Sequence, residues 1–152
     1  MTAYTRLAID IGGTNIRLGL LTGDSLVPQH ISGYCIDDFA GLADVIDLYL
    51  TQQDARPVIQ ETAIAVATPI TGDHIKLTNH DWNFSVADIH RRFAFRRLKV
   101  VNDFTALALS IPWLRQDELE HVGTGAADPD GAIALLGSGT CLLYTSPSPR
   151  DS

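Results

Sequence analysis

The sequence predicts an α/β layer structure whose first three strands are antiparallel. Residues 4–11 and 15–22 are strand-like runs on either side of Gly12-Gly13, which reads as a hairpin. A third strand is expected at 27–34, and from residue 38 onward helical and strand-like stretches alternate. No internal repeat interrupts this order.

Each element has a local reason. Residues 4–11, Tyr-Thr-Arg-Leu-Ala-Ile-Asp-Ile, read as a buried strand that ends at Gly12-Gly13. In 15–22, Ile16, Leu18 and Leu20 alternate with Arg17 and Gly19, which predicts a strand with one covered face. Residues 38–53 place Phe39, Leu42, Val45, Ile46, Tyr49 and Leu50 on one helical stripe. Residues 61–68 read as another buried strand, ended by Pro69 and the turn residues Thr71-Gly72-Asp73. A short strand at 74–78 leads into a loop at 79–84. Ser85 with Asp88 three positions on signals a helix start, and that helix is expected to run to Phe93. A strand at 98–102 precedes a helix at 103–111, which Pro112 closes. Residues 113–131 are polar and glycine-containing, a boundary or long connection, and 132–136 read as a strand opening a new unit.

Composition narrows the function. The chain has 152 residues, enough for an ordinary domain with its own core, and 45% apolar with 19% charged residues is a globular balance. The net charge is −7, with two lysines and nine arginines. No run of basic residues exceeds the pairs Arg91-Arg92 and Arg96-Arg97, so nucleic acid is not an expected partner and a small molecule is. No apolar run reaches the length of a membrane span, and Met-Thr-Ala-Tyr-Thr-Arg carries no signal-peptide core. Cys35 and Cys141 lack metal-ligand spacing and read as two reduced thiols of a cytoplasmic protein.

Three segments carry chemistry. In Asp10-Ile11-Gly12-Gly13-Thr14-Asn15, two glycines clear side chains from a tight turn, which lets backbone N–H groups approach an anion. Thr14 and Asn15 add donors, and a carboxylate such as Asp10 beside phosphates reaches Mg²⁺ directly or through water. The same residues also suit an ordinary hairpin turn stabilised locally. Asn102-Asp103 falls where a strand ends and a helix begins. Asp103 there suits either a helix cap or a base that accepts a hydroxyl proton, and Asn102 suits hydrogen bonds to hydroxyls. In the loop before Ser85, Trp82 and Phe84 are expected to fill core space. Asn79 and His80 are suited to face a polyol or to hold the loop's own backbone, and His74 and His90 read as surface residues.

Taken together, these segments resemble the bacterial glucokinase family. Asp-Ile-Gly-Gly-Thr-Asn-Ile-Arg at 10–17 is similar to the first phosphate motif of the sugar kinase, actin and Hsp70 superfamily. Asn-Asp-Phe-Thr-Ala at 102–106, followed by Ile111-Pro112, is similar to the family's catalytic segment. Thr68-Pro69-Ile70-Thr71-Gly72-Asp73 and the Thr-Asn-His-x-Trp-x-Phe string at 78–84 resemble the stretch that borders the sugar cleft, and they separate the chain from ROK proteins. Leu136-Gly137-Ser138-Gly139-Thr140 resembles the second phosphate motif.

The resemblance implies a ribonuclease H-like (actin-like ATPase) fold: a mixed sheet with its first three strands antiparallel, flanked by helices. It implies transfer of the γ-phosphoryl group of ATP to the 6-hydroxyl of D-glucose. Asp103 becomes the general base and Asn102 a sugar ligand. Asp10, Gly12, Gly13, Thr14 and Asn15 hold the phosphates and Mg²⁺ (the metal at Asp10, directly or through water), and Gly137, Gly139 and Thr140 belong to the second phosphate turn. A cytoplasmic homodimer is implied for the parent protein. The alternatives are a ROK-type sugar kinase or repressor, and a non-enzymatic nucleotide- or sugar-binding module.

One departure falls inside the last motif. The family continues Gly-Leu-Gly, whereas this chain continues Cys141-Leu142-Leu143-Tyr144-Thr145-Ser146-Pro147-Ser148-Pro149-Arg150-Asp151-Ser152. That run looks like an in-frame translation of a transposase-type sequencing adapter. The expected organisation is therefore a small N-terminal α/β domain at 1–112, the start of a larger second domain at 113–140, and a non-native tail at 141–152. The family's further sugar and adenosine contacts, and the C-terminal helix that completes the first domain, lie beyond such a fragment. Little or no kinase activity and an exposed apolar sheet face are the expectations that follow.

Overall fold

The computed structural model describes residues 5–78, 80–125, 128 and 131–137. The chain divides into two compact units, Met1–Ser110 and Ile111–Ser152. The first holds every strand and α-helix among the described residues. In chain order these are β1 (Thr5–Ile11), β2 (Asn15–Thr22), β3 (Gln29–Cys35), α1 (Leu42–Thr51), β4 (Ile59–Val66), β5 (His74–Lys76), β6 (Asn83–Ser85), α2 (Val86–Phe93), β7 (Arg97–Asn102) and α3 (Asp103–Ser110).

Five strands form one sheet in the order β3-β2-β1-β4-β7, and β5 pairs with β6 as a separate hairpin. β1–β2 and β2–β3 are antiparallel, while β1–β4 and β4–β7 are parallel. This is the ribonuclease H-like arrangement, with its antiparallel first three strands. The parallel pairs require crossovers, and α1 and α2 lie in them.

Because side chains alternate along a strand, register alone assigns the faces. Leu7, Ile9 and Ile11 lie opposite Leu20, Leu18 and Ile16 on one side and Thr62, Ile64 and Val66 on the other. All nine are buried, and the eight apolar ones join Val45, Ile46 and Tyr49 of α1 and Ile89 of α2 in one core cluster. Each such aliphatic side chain contributes about 1.5–3 kcal/mol by leaving water. The opposite face carries Ala8, Asp10, Gly19, Ala63, Ala65 and Val101, by the same registers. At Gly19 a Cβ would lie 3.1 Å from the Cβ of Pro28, so the close approach of the β2–β3 connection favours glycine there.

Helix ends follow their sequence signals, with one correction. Ser85 caps α2 by accepting the Asp88 N–H at 3.1 Å, and Ala94 ends that helix in the left-handed region with φ 51°. The first helix is shorter than the predicted 38–53. Ile36–Asp38 forms a 3₁₀ turn, and the Phe39 carbonyl accepts the Trp82 indole N–H at 3.0 Å instead of entering a helical ladder. Leu42, Val45, Ile46, Tyr49 and Leu50 still form the expected buried stripe. β4 starts and ends two residues earlier than predicted, because Thr68 N–H turns back onto the Val66 carbonyl at 2.8 Å.

Tertiary polar contacts tie the layers. Asp47 of α1 takes Arg56 at 2.7 Å and Arg92 of α2 at 2.6 Å. Burial pushes its carboxyl pKa up, but the hydrogen bonds and charges of Arg92 and Arg56 outweigh this and hold it below the ordinary value. The Tyr49 hydroxyl donates to the His30 carbonyl at 2.9 Å, and burial raises its pKa to about 12.

The second unit contains 3₁₀ turns at Ile111–Trp113 and Gln116–Glu118, the latter capped reciprocally by Arg115 and Glu118. The predicted strand at 132–136 does not form. No described residue pairs with it, and Ile133 and Leu136 are 75% and 92% exposed. A strand has no internal hydrogen bonds and needs a partner ladder. Of the second phosphate motif, Gly137 is described and exposed, while Gly139 and Thr140 lie outside the described residues, as do Asn79, Cys141 and the tail.

Candidate active site

The parallel strands β1, β4 and β7 all end at the same edge of the sheet. Register pairs Ile11 with Val66 and Val66 with Asn102. The glycine turn after β1 and the Asn102-Asp103 junction after β7 therefore stand two strands apart, about 10 Å at the usual strand spacing. Carboxyl ends of parallel strands are the usual place for ligands in open α/β sheets.

The turn at Gly12-Gly13 closes through the Gly12 N–H, which donates to the Asn15 carbonyl at 2.9 Å. The Thr14 carbonyl accepts from Ile36 N–H at 2.9 Å, and the Ile11 carbonyl accepts from Ala67 N–H at 3.0 Å. Neither glycine has positive φ, so left-handed backbone is not what selects them. A Cβ on Gly12 would meet the Asn15 carbonyl at 3.3 Å, whereas one on Gly13 would meet nothing within 4 Å. Gly13, Thr14 and Asn15 are exposed. The turn thus presents open backbone, as an anion cradle must.

Asp10 lies on the open face, in register with Arg17 and Ala65. It borders a groove of about 390 Å³, whose other walls include Gly19, Ala63 and Ala65 of the sheet and Ala106 of α3. The first acidic residue of the turn and the helix that begins at Asp103 thereby share one concavity. Among the described residues no cluster of three or more His, Cys, Asp or Glu forms a metal cage.

Asn102 is engaged with the backbone on both sides of its amide. Its amide nitrogen donates to the Thr68 carbonyl at 3.2 Å and lies 3.5 Å from that of Val66. Its Oδ1 accepts the Phe104 N–H at 3.1 Å. Asn102 therefore clasps the end of β4 to the start of α3 and caps that helix itself. Asp103 is the first residue of α3, half-buried, with Oδ1 2.9 Å from the Phe104 N–H. The cap is thus shared, and the cap reading of Asp103 alone is too simple.

The bordering loop is held from within. The Thr68 hydroxyl donates to the Lys76 carbonyl at 3.0 Å and lies 3.1 Å from the Thr78 hydroxyl. His80 Nδ1 accepts the Trp82 N–H at 3.1 Å, and its Nε2 lies 3.0 Å from Asp37. Of the two roles open to His80, holding the loop is the one these contacts describe. Trp82 and Phe84 are buried, and His74 and His90 are exposed, as expected. Asp73 was read only as a turn residue. It caps α2 from outside, accepting the Ser85 hydroxyl at 2.6 Å and the Ala87 N–H at 2.8 Å. These bonds, the Ser85 hydroxyl foremost, lower its pKa. The contacts of Asp37, Thr68 and Thr78 carry no local signal, since their partners lie in other segments.

Comparison with known proteins accords with this geometry. A family model described as glucokinase matches residues 7–146. A glucokinase of Photorhabdus laumondii is 40% identical over 136 residues, covering 90% of this chain and 42% of its own length. A solved glucokinase from an Antarctic psychrotroph superimposes with a TM-score of 0.71 at 34% identity, over 82% of this chain and 40% of that one. A ROK family glucokinase from Streptomyces griseus, solved with glucose and AMPPNP, superimposes at 0.52 over 68% of this chain and 35% of its own, but at 18% identity it shows a shared fold alone. The chain spans about two fifths of the length of the glucokinases it matches. With the turn, the Asn-Asp junction and the family match over most of its length, this chain belongs to the glucokinase family.

Proposed function

We propose that this chain supplies one wall of a kinase site that transfers the γ-phosphoryl group of ATP to the 6-hydroxyl of D-glucose. The observation that carries the proposal is the shared edge: the open turn at Gly12-Gly13 and the carboxylate of Asp103 follow β1 and β7, parallel strands of one sheet with only β4 between them. Phosphoryl transfer asks the protein mainly for positioning and charge stabilisation. Backbone N–H groups at 13–15 and the Thr14 hydroxyl would hold phosphate oxygens. Gly137, Gly139 and Thr140 would form the second phosphate turn.

Asp103 would accept the proton of the sugar hydroxyl as that oxygen attacks. Its place at the start of α3, beside the Asn102 clasp, keeps its carboxylate oriented. Asn102 has one oxygen and one nitrogen already committed to the backbone, so its contact with the sugar would draw on its remaining N–H or lone pair. Mg²⁺ suits the donor set, since this ion is commonly held by one carboxylate plus phosphates and water, and Asp10 is such a carboxylate. When bound, it neutralises phosphate charge.

Titration of Mg-ATP and of glucose against the chain, followed by amide NMR, tests the reading. Mg-ATP is expected to shift Gly12 to Asn15, with weaker binding in Asp10→Ala. Unmoved amides there would remove the phosphate role. In an intact enzyme carrying this segment, Asp103→Ala is expected to lower kcat about 10²–10⁴-fold. The 152-residue chain by itself is expected to show little or no turnover, and ordinary glucose phosphorylation in a coupled assay would refute that.

A further inference from the structure

A larger hollow lies at the other end of the parallel strands. It measures about 720 Å³, and its walls include Arg6 of β1, Thr62 of β4, His90 of α2, Arg96, and Arg97 and Lys99 of β7. In sequence these cations appear only as a pair, a lone lysine and a distant arginine. The fold brings four of the chain's eleven lysines and arginines to one cavity, in a protein of net charge −7. The one carboxylate on its wall, Glu61, is already paired with Arg97 at 3.1 Å. Among the described residues, the side chains of Arg96 and Lys99 have no ion-pair partner.

A second observation points to the same place. One side-chain polar atom of this wall, Arg6 Nε, is buried without a hydrogen-bond partner, and strand register puts Arg6 on the same sheet face as Arg97 and Lys99. Arg6 spends its Nη2 on the carbonyls of Gly23 and Ser25, each at 2.8 Å, which anchors the guanidinium and leaves Nε over. Natural proteins leave few such groups unmatched. A ligand with several acceptor oxygens and more than one negative charge satisfies donors and cations together.

We propose that this hollow binds a small phosphate-type anion. Its size suits a phosphate ester of a few carbons, and the acidic surface elsewhere disfavours a polynucleotide. The site is distinct from the glycine turn: Arg97 and Asn102 stand at opposite ends of β7, about 17 Å apart at strand rise.

The test is an amide NMR titration of the chain with inorganic phosphate and, separately, with glycerol 3-phosphate, at constant ionic strength set by chloride. Saturable shifts at Arg6, Arg97 and Lys99 are expected. The doubly substituted Arg96→Ala, Lys99→Ala chain is expected to bind about tenfold more weakly or worse, and Lys99→Glu to abolish binding while the spectrum stays folded. Tighter binding of the ester identifies a phosphorylated metabolite as the ligand, and equal binding identifies free phosphate; both support the site. Shifts confined to Gly12–Asn15, no saturation up to tens of millimolar, or unchanged affinity in both variants would overturn it.

Discussion

The two faces of the five-stranded sheet are built from the same strands yet obey different rules. On the covered face, Ile9, Ile64 and Val100 follow one another across β1, β4 and β7, and α1 and α2 close over them. On the open face, the alternate positions are Ala8, Ala63 and Lys99. Large aliphatic side chains on one side and small or charged ones on the other mean that stability is concentrated in a single layer of contacts. Asp10 and the groove beside α3 lie on the open side.

The largest effect that would break this contrast is in the core. Ile64 is fully buried, and Ile64→Ala is expected to cost about 2–5 kcal/mol in denaturant unfolding. A cost near zero would mean that the covered layer is not the seat of stability. Next comes the clasp at the sheet's carboxyl end. Asn102→Ala removes the donor to the Thr68 carbonyl and one of the two acceptors of the Phe104 N–H, and is expected to cost about 1–3 kcal/mol in thermal or denaturant unfolding. Asn102→Asp keeps the cap to Phe104 but not the donor to Thr68, and should fall between.

Smaller again is the acid response. Asp47 has a folded pKa below its usual 3.8, so its ion pairs stabilise fully above that value and are lost as pH falls through the lowered one. Unfolding below about pH 4 should therefore steepen, and Asp47→Asn should flatten that limb by about 1 kcal/mol or less. Asp73 acts in the same direction. The smallest effect belongs to the open face, where Ala63→Ser is expected to change stability by less than about 0.5 kcal/mol. A loss comparable to that of Ile64→Ala would show that the open face is packed in solution.

Much of this was legible in the sequence because it is local. Alternation in 15–22 marked β2 and its buried side, and Ser85 with Asp88 marked the start of α2 to the residue. The Gly12-Gly13 turn was legible from its residues: a Cβ would crowd the Asn15 carbonyl at Gly12 and would cover open backbone at Gly13. What escaped depends on partners far along the chain. The first helix starts late because Phe39 meets Trp82, 43 residues away. The amide of Asn102 is committed to Val66 and Thr68, which no spacing reveals. The strand expected at 132–136 had a suitable apolar run but no described neighbour to pair with.

The unbroken ladder from Ile11 through Val66 to Asn102 has a mechanical consequence. Backbone hydrogen bonds across three strands act as a ruler between the Gly12-Gly13 turn and Asp103. That interval is set once, when the sheet assembles. Under the proposed function, a sugar and a nucleotide would have to meet a gauge already cut.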